Sequence, residues 1–173
     1  MPISVKDAGS WKSATPYVKD GGTWKVVQAG YVRDAGTWKQ FFTNLSASIS
    51  DQSALNYSLS GVGGTASATY RLANNGVASR TNVSGTLTAI SGEWLVAGNA
   101  SDFEAYMAPD GGGSGGTTSG TFNTWVNLGT TQDWTLTATN NSATRSFTLQ
   151  IRIASSGEVV DTATISFEVD SAP

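Results

Sequence analysis

The sequence opens with one short phrase written three times: Val5-Lys6-Asp7-Ala8-Gly9-Ser10-Trp11-Lys12, Val18-Lys19-Asp20-Gly21-Gly22-Thr23-Trp24-Lys25, and Val32-Arg33-Asp34-Ala35-Gly36-Thr37-Trp38-Lys39. Tyr17 and Tyr31 precede the second and third valines. The three tryptophans are 13 and 14 residues apart. A phrase that recurs at nearly constant spacing is an internal repeat, and it governs how the rest of the chain is interpreted.

Each copy predicts a β-hairpin. A β-branched residue leads in, Asp-Ala-Gly or Asp-Gly-Gly turns the chain, and Ser/Thr-Trp-Lys leads out, because Asp and Gly favour tight turns. With a three-residue loop, Lys19 pairs with Thr23, and Val18 lies opposite Trp24 on one face. The equivalent pairs are Val5 with Trp11 and Val32 with Trp38. We expect these three Val/Trp faces to pack around a pseudo-threefold axis.

The tandem phrase V-[KR]-D-[AG]-G-[ST]-W-K resembles repeats in structural proteins of tailed bacteriophages, notably tail-fibre and other virion-appendage proteins. Further segments resemble the C-terminal domains of the same proteins: Gly92-Glu93-Trp94-Leu95-Val96-Ala97-Gly98-Asn99-Ala100-Ser101-Asp102-Phe103-Glu104, Trp134-Thr135-Leu136, Leu149-Gln150-Ile151-Arg152 and Asp161-Thr162-Ala163-Thr164-Ile165. The resemblance covers most of the chain and implies a virion component. Alanine at positions 8 and 35 departs from the commoner double glycine, so the three turns need not be identical.

Composition limits the chemistry that the chain can perform. Its 173 residues fit one or two small domains, and only 13% of them are charged. There is no cysteine and no histidine, which excludes disulfides, Cys/His zinc sites and Ser-His or Cys-His nucleophilic catalysis. We see no secretion signal and no apolar run long enough to span a membrane. We therefore expect a soluble product, and the resemblance to phage proteins implies that it is made in the host bacterial cytoplasm and carried in the virion.

After the repeats, the pattern is that of short strands. Apolar residues alternate with polar ones in four segments, at Leu55/Tyr57/Leu59, Ala66/Ala68/Tyr70/Leu72, Phe147/Leu149/Ile151/Ile153 and Ala163/Ile165/Phe167/Val169. Turn residues separate them at 61–64, 74–76, 91–92, 140–141 and 155–157. Seven to nine such strands predict an antiparallel, immunoglobulin-like β-sandwich over residues 44–173, preceded by a triple-hairpin module over residues 1–43.

Three other features have simple interpretations. The glycine-rich run 109–120 lacks the lysine and helix of a phosphate-binding loop, so we expect a mobile connection between strands. Glu93, Asp102 and Glu104 lie near aromatic residues, as a glycosidase pair would, with Asp102 and Glu104 on one face of a strand. We nevertheless expect surface roles for these three acids and no catalysis. We expect Trp94, Trp125 and Trp134 to be core or edge packing.

Charge is divided unevenly along the chain. Residues 1–43 hold six basic and three acidic groups, a balance of +3, while the remainder holds four arginines and ten acids, a balance of −6. The lysines are either ordinary edge protection of strands or an electropositive docking surface for an acidic partner. An overall charge of −3 without a dense basic cluster argues against nucleic acid.

The sequence thus predicts a non-enzymatic virion structural protein, either a tail or appendage component or a head decoration. The partner-binding residues would be Trp11, Trp24, Trp38, Val5, Val18, Val32, Tyr17 and Tyr31. Because so small a module has no disulfide or evident metal site to stabilise it, we expect it to oligomerise or to dock onto another virion protein. A trimer is the first expectation. A carbohydrate-binding module for host surface glycans is the alternative. We expect no cofactor, metal ion, nucleic acid or membrane.

Overall fold

The chain is built from β-strands, as the computed structural model shows over residues 3–27, 29–43, 45–50, 55–58, 64–81 and 84–173. In those ranges the helical structure is a single three-residue 3₁₀ turn, Ala100–Asp102. The predicted all-β class is confirmed. The chain divides into two compact units, Met1–Ser46 and Ala47–Pro173, three residues beyond the predicted boundary at residue 43.

The N-terminal unit consists of three successive antiparallel hairpins, as predicted. Their strands are β1 (Ile3–Asp7) with β2 (Ser10–Ala14), β3 (Tyr17–Asp20) with β4 (Thr23–Val26), and β5 (Ala29–Asp34) with β6 (Thr37–Thr43). Each hairpin is a separate two-stranded sheet. A two-stranded sheet has no second layer of its own, and such hairpins are marginally stable in isolation.

The three turns share one conformation, in which both turn residues have positive φ. The angles are 48° and 87° at Ala8 and Gly9, and 55° and 85° at Gly21 and Gly22. The third turn is alike, with 47° and 83° at Ala35 and Gly36. Positive φ at both central positions is the signature of a two-residue type I′ turn, whose twist matches that of the strands. Alanine therefore does not change the turn.

A two-residue loop shifts the register by one position from the prediction. Asp20 pairs with Thr23, Lys19 with Trp24, and Val18 with Lys25, and the other two copies pair in the same way. The predicted Val/Trp pairs are therefore wrong, as is the threefold packing built on them. Asp belongs to the closing strand pair rather than to the loop, and side chains alternate between faces, so a one-residue shift separates valine from tryptophan.

The C-terminal unit contains two five-stranded sheets. Sheet 1 has the order β11-β10-β9-β16-β14, and sheet 2 has the order β15-β13-β17-β18-β8. A further pair joins β12 to β7. The strands are β7 (Ser46–Ile49), β8 (Leu55–Ser58), β9 (Thr65–Leu72), β10 (Ala78–Thr81), β11 (Leu87–Ile90), β12 (Trp94–Ala97), β13 (Phe103–Ser114), β14 (Thr117–Ser119), β15 (Val126–Asn127), β16 (Gln132–Thr139), β17 (Ser142–Ile153) and β18 (Val159–Asp170).

Each large sheet buries one face, as a two-layer β-fold requires. Strands β9 and β16 of sheet 1 contact β18 of sheet 2, so the buried faces belong to one core. The predicted alternation is confirmed on β9, β17 and β18. Their buried residues are Ala66, Ala68, Tyr70, Leu72, Phe147, Leu149, Ile151, Ile153, Ala163, Ile165, Phe167 and Val169. The turns predicted at 74–76, 91–92, 140–141 and 155–157 also lie between strands, while 61–63 and Leu59 fall outside the described residues.

Two details depart from the predicted antiparallel sandwich. Strand β8 pairs in parallel with β18, from Leu55 beside Phe167 to Ser58 beside Asp170, whereas the other recorded pairings are antiparallel. Short strands such as β14 and β15 also bring the described strands of this unit to twelve, more than the predicted seven to nine. Strands of two or three residues leave no alternating pattern to recognise in a sequence.

The glycine-rich run is not the loop that the sequence predicted. Strand β13 continues to Ser114, and β14 begins at Thr117, so only Gly115 and Gly116 carry the chain from sheet 2 to sheet 1. Both have positive φ, near 62°. A Cβ on Gly116 would lie 2.7 Å from the Cβ of Ala143 and from the carbonyl oxygen of Thr137. Glycine is required here by packing rather than by mobility.

Candidate functional site

The observed register gives every hairpin one face that combines a tryptophan with a cation. Lys6 lies opposite Trp11, Lys19 opposite Trp24, and Arg33 opposite Trp38. In the second hairpin, Lys19 Nζ lies 5.9 Å from the centroid of the Trp24 ring, within range of a cation–π contact. We call each of these three surfaces a tryptophan face.

Tyrosine extends two of the three tryptophan faces. Tyr17, two residues before Lys19, pairs with Val26, and Tyr31 stands in the same position before Arg33. Of the eight predicted partner-binding residues, the tryptophans and tyrosines therefore lie together. Val5, Val18 and Val32 lie on the opposite faces of their hairpins.

The opposite faces are electrically neutral. In each hairpin a lysine that follows the tryptophan forms an ion pair with the aspartate before the turn: Lys12 with Asp7, Lys25 with Asp20, and Lys39 with Asp34, each with an N–O distance of 2.6 Å. Among the described residues, no acid is paired with Lys6, Lys19 or Arg33. The +3 balance of the N-terminal module therefore resides on the tryptophan faces, one charge to each.

The tryptophans on these faces are exposed to solvent. The exposed fractions are 72% for Trp11, 65% for Trp24 and 66% for Trp38, and Tyr17 and Tyr31 are exposed as well. Between residues 4 and 39, every side chain that the structure describes is exposed or half-buried. Scattered exposed apolar residues are ordinary, but tryptophan beside a cation without an ion pair recurs here in three equivalent positions, which makes these faces the candidate functional site.

The three acids considered for catalysis occupy three unrelated positions. Glu93 is only 1% exposed, so its predicted surface role is wrong. Asp102 lies in the 3₁₀ turn and accepts a hydrogen bond from the backbone N–H of Asn99 at 2.8 Å, so it does not share a strand face with Glu104. Glu104 on β13 pairs with Arg152 at 2.6 Å.

Glu93 is part of a buried ion pair on the core side of sheet 1. The guanidinium of Arg80 donates to Glu93 through Nε and Nη2, with Nε 3.0 Å from Oε1. The same guanidinium lies 5.6 Å from the centroid of the Tyr70 ring. Burial, and secondarily the charge of Glu93, raises the pKa of Tyr70 well above its usual value, so its hydroxyl stays protonated. Arg80, Glu93 and Tyr70 are all buried, so this cluster belongs to the interior of the C-terminal unit.

The three C-terminal tryptophans behave largely as predicted. Trp94 and Trp134 are buried core residues. Trp125 is half-buried at the edge of sheet 2, where the Arg152 guanidinium lies 4.1 Å from its ring centroid and the Tyr106 ring 5.3 Å away. Tyr106, Trp125 and Arg152 thus form an aromatic cluster that reaches the surface of the C-terminal unit.

No group of three acidic, His or Cys side chains within the described ranges is arranged to hold a metal ion. The same ranges contain no helix with the length and apolarity to span a membrane. Neither protein-family models nor curated proteins gave a match to this chain.

The sequence identified the tryptophans and tyrosines but missed the cations beside them. A three-residue loop, as predicted, would place Lys6, Lys19 and Arg33 on the face opposite tryptophan. The signal was present in the Asp-x-Gly-Thr/Ser phrase, since x-Gly alone satisfies a type I′ turn. Counting a two-residue loop places each cation beside its tryptophan.

Proposed function

We propose that this protein is a non-enzymatic structural component of a bacteriophage particle, either a tail or appendage protein or a head decoration. Its N-terminal hairpins dock onto a partner or onto sister chains, and its β-sandwich projects outward. The resemblance of the repeated phrase to virion proteins supports the phage assignment. The three exposed tryptophan faces support the docking role, and they are the observation that carries this proposal.

Docking would bury surface that the hairpins leave in water. Full burial of a large apolar side chain contributes about 1.5–3 kcal/mol, and tryptophan dominates many protein interfaces. Three equivalent faces on one chain can engage three equivalent sites, which multiplies the affinity without requiring any new kind of contact. Three repeats therefore bind a chain to the particle more tightly than one repeat would.

The outer surface of sheet 1 suits a spacer rather than an enzyme. Hydroxyls pair across β9 and β16, with oxygen–oxygen distances of 3.0 Å for Thr65 and Thr139, 2.7 Å for Ser67 and Thr137, and 2.8 Å for Thr69 and Thr135. Arg71 and Asp133 extend the row with a bidentate pair at 2.6 Å. These polar groups satisfy one another, so the surface is wettable without presenting an unpaired reactive group.

Electron microscopy of phage particles with a labelled antibody against the C-terminal unit tests this proposal. We expect label at the tail, an appendage or the head surface. Trp24→Ala should lower the number of copies in purified particles, while Lys25→Ala, on the opposite face of the same hairpin, should not. Particles that contain no copy of the chain would contradict the proposal.

A carbohydrate-binding role is the second candidate, and the surface cluster of Tyr106, Trp125 and Arg152 favours it. Aromatic rings beside a cation and amides suit a sugar ring with polar substituents, and Gln150 lies directly opposite Tyr106. A glycan array would test this candidate. Binding that is lost in Trp125→Ala and retained in Trp24→Ala would establish it, and an array without signal would remove it.

A further inference from the structure

Three carboxylates without a basic partner lie on the outer face of sheet 2. Thr148 donates to Asp110 at 2.6 Å, and Ser142 donates to Asp170 at 2.8 Å, but neither acid has a cationic neighbour within the described structure. Glu168 is exposed on β18, between these two positions, and it too lacks a basic partner there. By contrast, Glu93, Glu104 and Asp133 are each paired with an arginine.

A shallow cavity of about 250 Å³ on this sheet is lined by one of these acids, Glu168. Its lining includes Gly112, Gly113, Thr144, Ser146, Ser166 and Glu168. The two glycines contribute no side chains, and a register shift between Pro109 and Gly113 bends β13 at this point. Arg145 also lines the cavity, and Asp110 and Asp170 lie on the surrounding surface beside Thr148 and Ser142. The cavity and its surroundings together carry three negative charges and one positive charge. We call this surface the acidic groove.

We propose that a tryptophan face of one copy docks into the acidic groove of a second copy of this chain. The inference rests on the proposed docking function of the hairpins and names the partner surface. Tryptophan enters the cavity, and the neighbouring Lys6, Lys19 or Arg33 approaches Glu168 and Asp110. The unpaired cations and the unpaired acids of one sequence thus lie on two surfaces of opposite charge.

The contact is heterologous, because it joins two different surfaces. Such contacts close into a ring or continue into an open filament, and a ring of three copies would be the trimer expected from the sequence. Each chain offers three tryptophan faces for one groove, so the remaining faces are free for other virion proteins. Since both surfaces are exposed to solvent, assembly should weaken as salt is added.

Sedimentation of the full-length protein over a range of concentrations tests the contact. At about 0.1 M salt we expect a mass above one chain, and at about 1 M salt a shift towards one chain. The triple variant Lys6→Gln, Lys19→Gln, Arg33→Gln should weaken assembly by about tenfold or more. The matched variant Lys12→Gln, Lys25→Gln, Lys39→Gln loses the same charge from the opposite faces and should assemble like the wild type.

Reversing the charges on both surfaces tests whether the acidic groove, rather than another surface, is the partner of the tryptophan faces. Lys6→Glu with Lys19→Glu and Arg33→Glu should abolish assembly, and adding Asp110→Lys with Glu168→Lys should restore it. Assembly that is not restored, in proteins whose circular dichroism is unchanged, would show that the groove is not the partner, while docking through the tryptophan faces would stand. A chain that is monomeric at every concentration and salt would overturn the self-contact, and antibody labelling of particles would still decide the proposed function.

Discussion

Replacing Glu93 with glutamine should destabilise the C-terminal unit more than any other carboxylate-to-amide change. The substitution keeps size and shape but removes the negative charge that faces the guanidinium of Arg80, and Arg80 is only 7% exposed. Removing one partner of a buried ion pair costs about 3–5 kcal/mol. At about 4 °C per kcal/mol for a domain of this size, the melting temperature should fall by on the order of 12–20 °C.

Asp133→Asn is the matched control. Asp133 also pairs with an arginine, Arg71, but the two side chains are 40% and 37% exposed. Exposed pairs contribute about 0.2–1 kcal/mol, so the melting temperature should change by no more than about 4 °C. Thermal melts followed by circular dichroism measure both variants. Equal shifts in the two proteins, or a loss below about 1 kcal/mol for Glu93→Gln, would refute the reasoning that burial makes the Arg80–Glu93 pair costly to break.

Three further predictions concern the same unit. The pKa of Tyr70 is raised in the folded state above its unfolded value of about 10, so the neutral tyrosine contributes stability that is complete below about pH 10 and is lost as the pH rises above it. Urea titrations across alkaline pH should show this loss of stability in the wild type and a smaller loss in Tyr70→Phe. Gly116→Ala should cost about 1–3 kcal/mol in chemical denaturation through its close contacts, and Gly111→Ala, whose Cβ would meet nothing within 4 Å, should cost less. A truncated protein of residues 44–173 should melt cooperatively as a β-protein, and a spectrum of disordered chain would show that it needs the hairpins.

The parts of the fold that the sequence predicted are those with a strong local pattern. Apolar alternation located β9, β17 and β18, because a strand with one buried face must place apolar residues at every second position. Turn residues located the hairpins, because tight turns need the residue types that accept positive φ. Which of the acids is buried could not be predicted from the sequence pattern. Nothing local distinguishes Glu93 from Glu104, and only the fold places one beside a buried arginine and the other at the surface.

Register and sheet crossing were harder to predict, because each depends on a single residue. A loop of two rather than three residues decided whether tryptophan stood beside valine or beside a cation. The glycine-rich run has the composition of a flexible linker, yet Gly116 lies against Ala143 and Thr137. Composition alone indicates a flexible segment, whereas the contacts that hold this one in place come from strands distant in the sequence.

The parallel pairing of β8 with β18 determines how the C-terminal unit responds to mechanical force. These strands lie near the beginning and the end of the unit, and they run in the same direction from Leu55 beside Phe167 to Ser58 beside Asp170. A pull on the two ends draws the strands past each other along their length. The hydrogen bonds between them are then loaded together in shear, and none can open first as it would in a peeled hairpin. A protein tethered at one end and dragged at the other would be held by this pair of strands.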